Sequence, residues 1–372
     1  MRACAIFLCT LACGASAPPS AGGTLFVSQA GSSTIAAINS RSGELEARIE
    51  VGFLPHSMIL APDGRTLYAV LVGSQAIAEI DTVSFRLRRT FLTAPVPRTR
   101  DDGSVIQAHV DQDAFAHTSC YDCHHVGGAL PKYVGTRPFG ALLSATGKQL
   151  LISHINSPEI VALDLATGGI AGTVTLEPSG DATESVALAR LGDAIWLARR
   201  PRQPSTSPGI LRRLDPETLE GRGDVAAGSD TGALLSLPGR ERLLASNFET
   251  DTVTELDGSG AARVLQAAPG PLGLLALPDQ QTILTLDYYS NAVSFLDLDT
   301  GSSETLPLAL NGVSYVNPTH AALSGDGRSA WIVSSGTEGH LLELDLSSRL
   351  IGREVPIDGL SFGVVFVPQQ SR

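Results

Sequence analysis

The chain has 372 residues, with 43% hydrophobic and 17% charged side chains and 38 glycines. That composition fits a compact, turn-rich fold and excludes a largely disordered chain. The formal charge of -12, with no basic run interleaved with aromatics, disfavours binding to nucleic acid or to anionic lipid surfaces.

The N-terminus places Arg2 before an apolar stretch from Ala3 to Ala12 and then turns small and proline-rich through Gly14 to Gly23, as export signals do. The apolar run is too short to span a bilayer, so no transmembrane segment is expected. Residues 1–17 therefore read as a signal peptide, with cleavage after Ala15-Ser16-Ala17 opposed by Pro18. Leu11-Ala12-Cys13 resembles a bacterial lipoprotein box, which would make Cys13 a lipid-anchored first residue, although Thr10 stands where an aliphatic residue is usual. Of five cysteines, Cys4, Cys9 and Cys13 fall in this leader, leaving Cys120 and Cys123 as the pair in the body. A disulfide scaffold is excluded.

From residue 23 onward one signature recurs, an aliphatic β-rich run closed by Asp or Asn. It appears as Ile35–Asn39, Ile77–Asp81, Ile160–Asp164, Leu211–Asp215, Val253–Asp257, Val293–Asp297 and Leu341–Asp345. The seven copies are spaced about 42, 83, 51, 42, 40 and 48 residues apart, close to the period of a four-stranded propeller blade except where the spacing doubles. Short strands such as Leu67-Tyr68-Ala69-Val70 and Ala330-Trp331-Ile332-Val333 precede the signature, and turns such as Pro62-Asp63-Gly64 and Gly325-Asp326-Gly327 precede those strands. The blade-end acids recur too regularly to be anything but turn-forming. The last apolar run, Phe362–Val367, has no following partner, while the first repeat lacks a leading strand. An all-β, seven-bladed propeller over residues 23–372, closed by the C-terminal strand, is expected.

The succession from Pro55 to Gly64, then Leu67-Tyr68-Ala69-Val70 and Ile77 to Asp81, resembles the YVTN-type propeller repeat over nearly the whole mature chain. That group includes lactonase-like propellers, amine dehydrogenase heavy chains and the haem-d1 domain of cytochrome cd1 nitrite reductases. The resemblance implies fold more than activity, because propellers host catalysis, cofactor binding and scaffolding alike.

The doubled spacing leaves a non-repeating insert, residues 96–135, between the second and third blades. It holds His109, His117, Cys120-Tyr121-Asp122-Cys123-His124 and His125. Two thiols at this separation reach both vinyl groups of one porphyrin, and the following histidine is held beneath the iron. One covalent haem c is therefore expected on Cys120 and Cys123, with His124 as axial ligand. Export supports this independently, because c-type haem is attached outside the bacterial inner membrane. The rival is a zinc site of Cys120 and Cys123 with His117 and His125, which would not need His124 where it stands. A redox cysteine pair is weaker, for want of a surrounding βαβ unit.

About forty residues are too few for a self-contained cytochrome domain, so the haem is expected to pack against the propeller. Blade-to-blade connections emerge on the same face as the loops between second and third strands, which puts His56, His154, His320 and His340 on the haem side. Candidate sixth iron ligands are His56, Met58, His109, His117, His154 and His320, with His109 marginally favoured because the insert can fold it over the haem. His125 is assigned to hydrogen bonding or solvent. A loop from Arg199 to Pro208, with Arg199, Arg200 and Arg202, falls on that face and could meet haem propionates or an acidic partner.

The expected protein is thus a periplasmic monohaem c-type cytochrome on a propeller, exported or lipid-anchored, exchanging electrons with a redox partner protein or running a haem-dependent redox reaction. Two alternatives stay open. One is a haem oxidoreductase with an open coordination site, peroxidase-like or nitrogen-oxide-handling; the other is a non-catalytic binding module. No serine-histidine-aspartate set, phosphate loop or catalytic carboxylate pair stands out.

Overall fold

The computed structural model describes residues 22–93, 137–155, 157–177, 180, 182–201 and 206–369. The leader (1–17, with Cys13), the insert (96–135) and the residues Cys120, Cys123, His124, His109, His117 and His125 lie outside the described residues, as does Arg202.

The described residues form seven four-stranded antiparallel sheets, and among them no α-helix occurs. Blades 2, 3, 5 and 6 run in simple sequence order from inner to outer strand, as in blade 2 with Pro55–Leu60, Thr66–Leu71, Ala76–Asp81 and Arg86–Leu92. Blade 4 (Ala182–Ser229) and blade 7 (Pro318–Ile357) do the same. Each inner strand touches the inner strands of the blades on either side, and the ring is continuous. Blade 1 closes it: the C-terminal strand Ser361–Pro368 is innermost and pairs with Gly23–Gln29, followed by Thr34–Asn39 and Leu45–Glu50. Closure leaves no inner edge and ties the last strand of the chain to the first, as the unpaired run Phe362–Val367 anticipates.

The seven repeat signatures are the third strands, and their terminal acids are turn formers. Asp345 Oδ1 accepts bonds from the backbone N–H of Ser347 (3.0 Å) and Ser348 (2.7 Å). Asp81, Asp164, Asp215 and Asp297 repeat this arrangement, and Asn39 does so in the first blade. The Thr218 and Glu217 N–H bonds hold Asp215 down to about 2, and the Ser347 hydroxyl, then the Ser348 N–H and hydroxyl, do the same for Asp345. Each turn then needs a left-handed residue, supplied by glycine at Gly43, Gly168 and Gly301 but by Leu219 in blade 4 and Arg349 in blade 7.

The interior is layered between blades. Leu67, Ala69, Leu71 and Ile80 of blade 2 pack on Phe26, Ile35 and Val367 of blade 1, and equivalent apolar layers fill the other seams. Strand 2 of each blade is buried almost throughout because both of its faces meet a neighbouring sheet.

The double spacing lies where the repeat count put it. Blade 2 ends at Leu92 and blade 3 begins at Pro138, and the two blades are neighbours in the ring. Arg199 and Arg200 depart from expectation. They lie within the strand Ala194–Pro201, not in a loop, and both are buried. Arg200 pairs with Glu184 and Asp230, and Arg199 donates to the Glu177 carbonyl. Neither guanidinium faces solvent to receive a propionate or an acidic partner.

Candidate site at the channel mouth

Every inner strand starts on one face of the ring and carries a register break within its first few residues, for example Pro55/Met58 in blade 2, Pro138/Ala141 in blade 3, Thr231/Leu234 in blade 5 and Pro318/Ala321 in blade 7. A bulge turns the side chains that follow it away from the regular pleat. Here the bulges ring the mouth of the central channel, so the residues inside them form its rim.

The rim is lopsided. Blades 7, 1, 2 and 3 place rings there: His320, Phe362, His56 and Phe139. Blades 5 and 6 place Gly232 and Leu272. His56 is wedged between Phe139 (centroids 4.6 Å) and Phe362 (4.5 Å), and His320 stands edge-on to it at 6.0 Å and 88°. The backbone is pinned around them. Ser28 Oγ donates to the His56 carbonyl (2.6 Å) and accepts from the Gly363 N–H (2.7 Å). Thr319 Oγ1 donates to the Phe362 carbonyl at 2.8 Å, and Ser57 Oγ to the Phe139 carbonyl at 3.0 Å. Glycine is obligatory beside the rings, since a Cβ on Gly363 would lie 2.7 Å from the His56 carbonyl oxygen and one on Gly140 2.7 Å from that of Val186.

Both imidazoles are neutral at physiological pH. Burial, and then the neighbouring His320, push His56 down to about 3. Burial likewise pushes His320 down to about 4, opposed by a hydrogen bond to the Phe362 backbone. An imidazole in this state is a metal ligand or a hydrogen-bonding partner, not a cation.

Behind the rim, the ends of the second strands make a second ring at equivalent register: Gln29, His154, Arg199, Asn247, Asp287 and Ser334, with Leu71 the apolar exception in blade 2. These six polar residues are buried. His154 Nδ1 lies 3.1 Å from the Glu159 carbonyl. Asn247 donates to Thr252 and Thr254 and accepts from Thr231, while Asp287 accepts from Thr285 (2.7 Å) and Ser294 (2.5 Å). Asp287 is raised to about 6, chiefly by burial. Further out on the same face, Glu354 accepts from the Tyr315 hydroxyl (2.6 Å) and faces His340 Nδ1 at 2.6 Å. Burial, and then Glu354, push Tyr315 up to about 12.

Of the sequence-selected residues, the fold brings His56 and His320 together at the mouth. It places His154 and His340 on the same face at the second-to-third-strand loops, and sets Met58 into the apolar seam between blades 1 and 2. The connection from blade 2 to blade 3 leaves and re-enters on this face, after Thr93 and before Arg137. Phe139, Phe362 and the Tyr315–Glu354 pair were not selected from the sequence. The repeated Phe-Gly at the start of two inner strands, Phe139-Gly140 and Phe362-Gly363, was the available signal. Grooves on the opposite face, between blades 3, 4 and 5, are lined by turn residues such as Gly192, Asp193 and Pro216 and gather no comparable set of side chains.

No protein-family model and no curated protein sequence matches the chain. Solved structures do. A streptogramin B lyase is 13% identical with a TM-score of 0.58, covering 85% of this chain and 91% of its own. The hydrazine synthase of Kuenenia stuttgartiensis is 12% identical with a TM-score of 0.61, covering 94% and 99%. The dihydro-haem d1 dehydrogenase NirN, solved in complex with DHE, is 14% identical with a TM-score of 0.61, covering 95% and 76%. At this identity the likeness shows architecture, and the architecture is a closed seven-bladed β-propeller of a kind used by proteins of unrelated activity.

Proposed function

We propose that the chain is an exported monohaem c-type cytochrome in which a propeller face completes the haem pocket, acting in electron transfer with a redox partner protein or in a haem-dependent redox reaction. The observation that carries this reading is the motif Cys120-Tyr121-Asp122-Cys123-His124 in a segment anchored at both ends on the face that bears the imidazole and phenyl rings. His124 is thirteen residues before Arg137, so an extended chain spans at most about 45 Å, ample to lay a haem on the mouth.

The described residues fit the group. A haem needs an apolar wall for its macrocycle and an unprotonated nitrogen or a sulfur for its iron, and the mouth offers two phenyl rings beside two neutral imidazoles. Cys120 and Cys123 would hold the haem through thioether bonds, and His124 would ligate its iron. Bound there, it supplies one-electron chemistry between ferrous and ferric iron. With a haem there, Phe139 and Phe362 would keep water from it, and the bonds from Ser57 and Thr319 to their carbonyls would hold those rings in place. That the fold is shared with NirN, named for haem d1, is in keeping with such a use but does not decide it.

The test is production of the full chain with its leader in a host that matures c-type cytochromes. A Soret band that stays with the polypeptide after acid-acetone extraction, recovered in the periplasmic or lipid-anchored fraction and abolished in the double variant Cys120→Ala/Cys123→Ala, is the expected result. Protein that carries zinc in place of haem, or haem released by acid-acetone, sinks the proposal.

A further inference from the structure

We infer that the groove between blades 3 and 4, on the face opposite the channel mouth, is a binding site for the guanidinium group of an arginine carried by a partner protein. The inference does not depend on the haem. It follows from what the chain itself puts into the other seams at the same level.

At three seams an arginine on the outer strand latches its blade to the next. Arg89 of blade 2 pairs with Glu79 on the adjacent strand (2.8 Å) and donates to the Leu165 and Ala166 carbonyls, which follow the turn acid Asp164 of blade 3. Arg263 of blade 5 does the same with Glu255 and the Leu298 carbonyl of blade 6. Arg353 of blade 7 pairs with Glu343 and donates to the Ser40 and Arg41 carbonyls of blade 1. Two of these guanidinium groups lie over a ring, Arg89 over Phe91 at 4.6 Å and Arg353 over Trp331 at 4.7 Å. The seam between blades 6 and 7 is closed from the other side by Arg349, which pairs with Glu304 and lies 4.4 Å over Phe295. Between blades 1 and 2 the turn residue Phe85 fills the space, its ring 5.9 Å from that of Phe26.

Blade 3 carries Ala162 and Gly172 at the register of the glutamate and arginine, so its latch is missing. A groove of about 690 Å³ opens there, lined by these two residues and by Pro216 and Glu217, which follow the turn acid Asp215 of blade 4. The Pro216 and Glu217 carbonyls are the counterparts of those that Arg89 and Arg353 engage, and among the described residues nothing donates to them. Leu151 and Val174 stand at the positions of Trp331 and Phe91 and give an apolar floor for an arginine stem. The exposed Glu217 carboxylate makes no ion pair among the described residues, and it offers the countercharge that Ala162 cannot. The other charged residues of the groove, Arg190 and Asp193, offset each other, so groove and chain alike attract a cation. Two successive carbonyls suit the planar fork of a guanidinium better than the point charge of a lysine. The seam between blades 4 and 5 also lacks a latch, but Arg213 stands there in the glutamate position and would repel a second guanidinium.

The experiment is methyl nuclear magnetic resonance of the full chain, labelled at leucine and valine. It is titrated with three probes: acetyl-arginine methylamide, its lysine counterpart, and a five-residue peptide with one central arginine among glycines, blocked at both ends. The arginine probe and the peptide should shift the methyls of Leu151, Val174 and Leu219 saturably, and the lysine probe should shift them far less. A side chain at Gly172 projects into open space, so Gly172→Arg should supply the guanidinium from within the chain, abolish the response and raise the melting temperature. Glu217→Gln, on an exposed turn, should weaken binding about two- to five-fold, as loss of an exposed ion pair does, and it reads the site should Gly172→Arg fold poorly. The proposal is overturned by absence of shifts at these methyls, by an equal response to lysine, by arginine binding that survives Gly172→Arg, or by a Glu217→Gln titration identical to wild type. A site that takes the single blocked arginine but not the peptide marks a small guanidino compound as the guest, and overturns the protein partner.

Discussion

Asp287 is a buried carboxylate that blade 6 carries where blade 5 carries an amide. It is fully buried and faces Thr285 and Ser294, and its pKa is raised from 3.8 to about 6, first by desolvation. At the equivalent register in blade 5, Asn247 sits among Thr231, Thr252 and Thr254 with both ends of its amide bonded. Asp287→Asn should therefore fit without repacking. Oδ1 would go on accepting from Thr285, and the new amide would donate to Ser294, whose hydroxyl is 2.8 Å from Thr305 and can turn toward it. The sign follows from proton linkage. Between pH 3.8 and about 6 the folded protein binds more protons at this site than the unfolded chain, so wild-type stability falls as pH rises through that window. At about 1.4 kcal/mol per pH unit the interval corresponds to at most about 3 kcal/mol at neutral pH, or about 4 °C in melting temperature for a chain of this size. Urea unfolding of both proteins from pH 3.5 to pH 8 measures it. The curves should converge at the acid end, and the variant should be the more stable above pH 6. A pH-independent difference, or a variant less stable at pH 7, would refute the argument that desolvation dominates at this site.

Other consequences follow from single contacts. Asp230→Asn keeps the left-handed backbone that Asp230 adopts (φ 51°) but removes one of the two carboxylates on buried Arg200, and should cost about 3 kcal/mol in urea unfolding; a loss below about 1 kcal/mol would mean Glu184 alone neutralises the guanidinium. Asp345→Ala deletes the turn bonds of blade 7 and should cost about 1–2 kcal/mol at pH 7. Because Asp345 is held down to about 2, that difference should be present above pH 4 and shrink as pH falls toward 2, and a constant difference would contradict a charge-assisted turn. Gly363→Ala forces a Cβ to 2.7 Å from the His56 carbonyl oxygen and should destabilise by about 1–3 kcal/mol, whereas Gly352→Ala, with open space around it, should be near neutral in the same assay.

Much of the fold was legible because its signals are local. An acid that accepts two N–H bonds from the turn after it marks the end of a third strand without reference to the rest of the chain, and seven such acids or amides mark seven blades. The misreading of Arg199 and Arg200 as loop residues has the opposite origin. Arginines followed by Pro201, Gln203, Pro204 and Ser205 look solvent-bound when read in sequence, but Glu184 on the neighbouring strand and Asp230 in the turn between blades 4 and 5 supply the countercharge that lets Arg200 be buried. The polar ring behind the mouth escaped notice for a related reason. Gln29, His154, Arg199, Asn247, Asp287 and Ser334 share a register position but no residue type, so no repeat pattern reveals them.

By itself the sequence determined the blade period and the close spacing of Cys120, Cys123 and His124, since each depends on residues close together in the chain, and it pointed to closure through the apolar run Phe362–Val367 left without a following partner. Only the tertiary structure decided that His320 and Phe362 from the end of the chain meet His56 and Phe139 from its first half on one side of the channel mouth. Ring closure is the physical reason. It sets blade 7 and blade 1 beside blade 2, and the inner-strand bulges then turn the rings of four blades toward the face from which the segment holding Cys120, Cys123 and His124 departs.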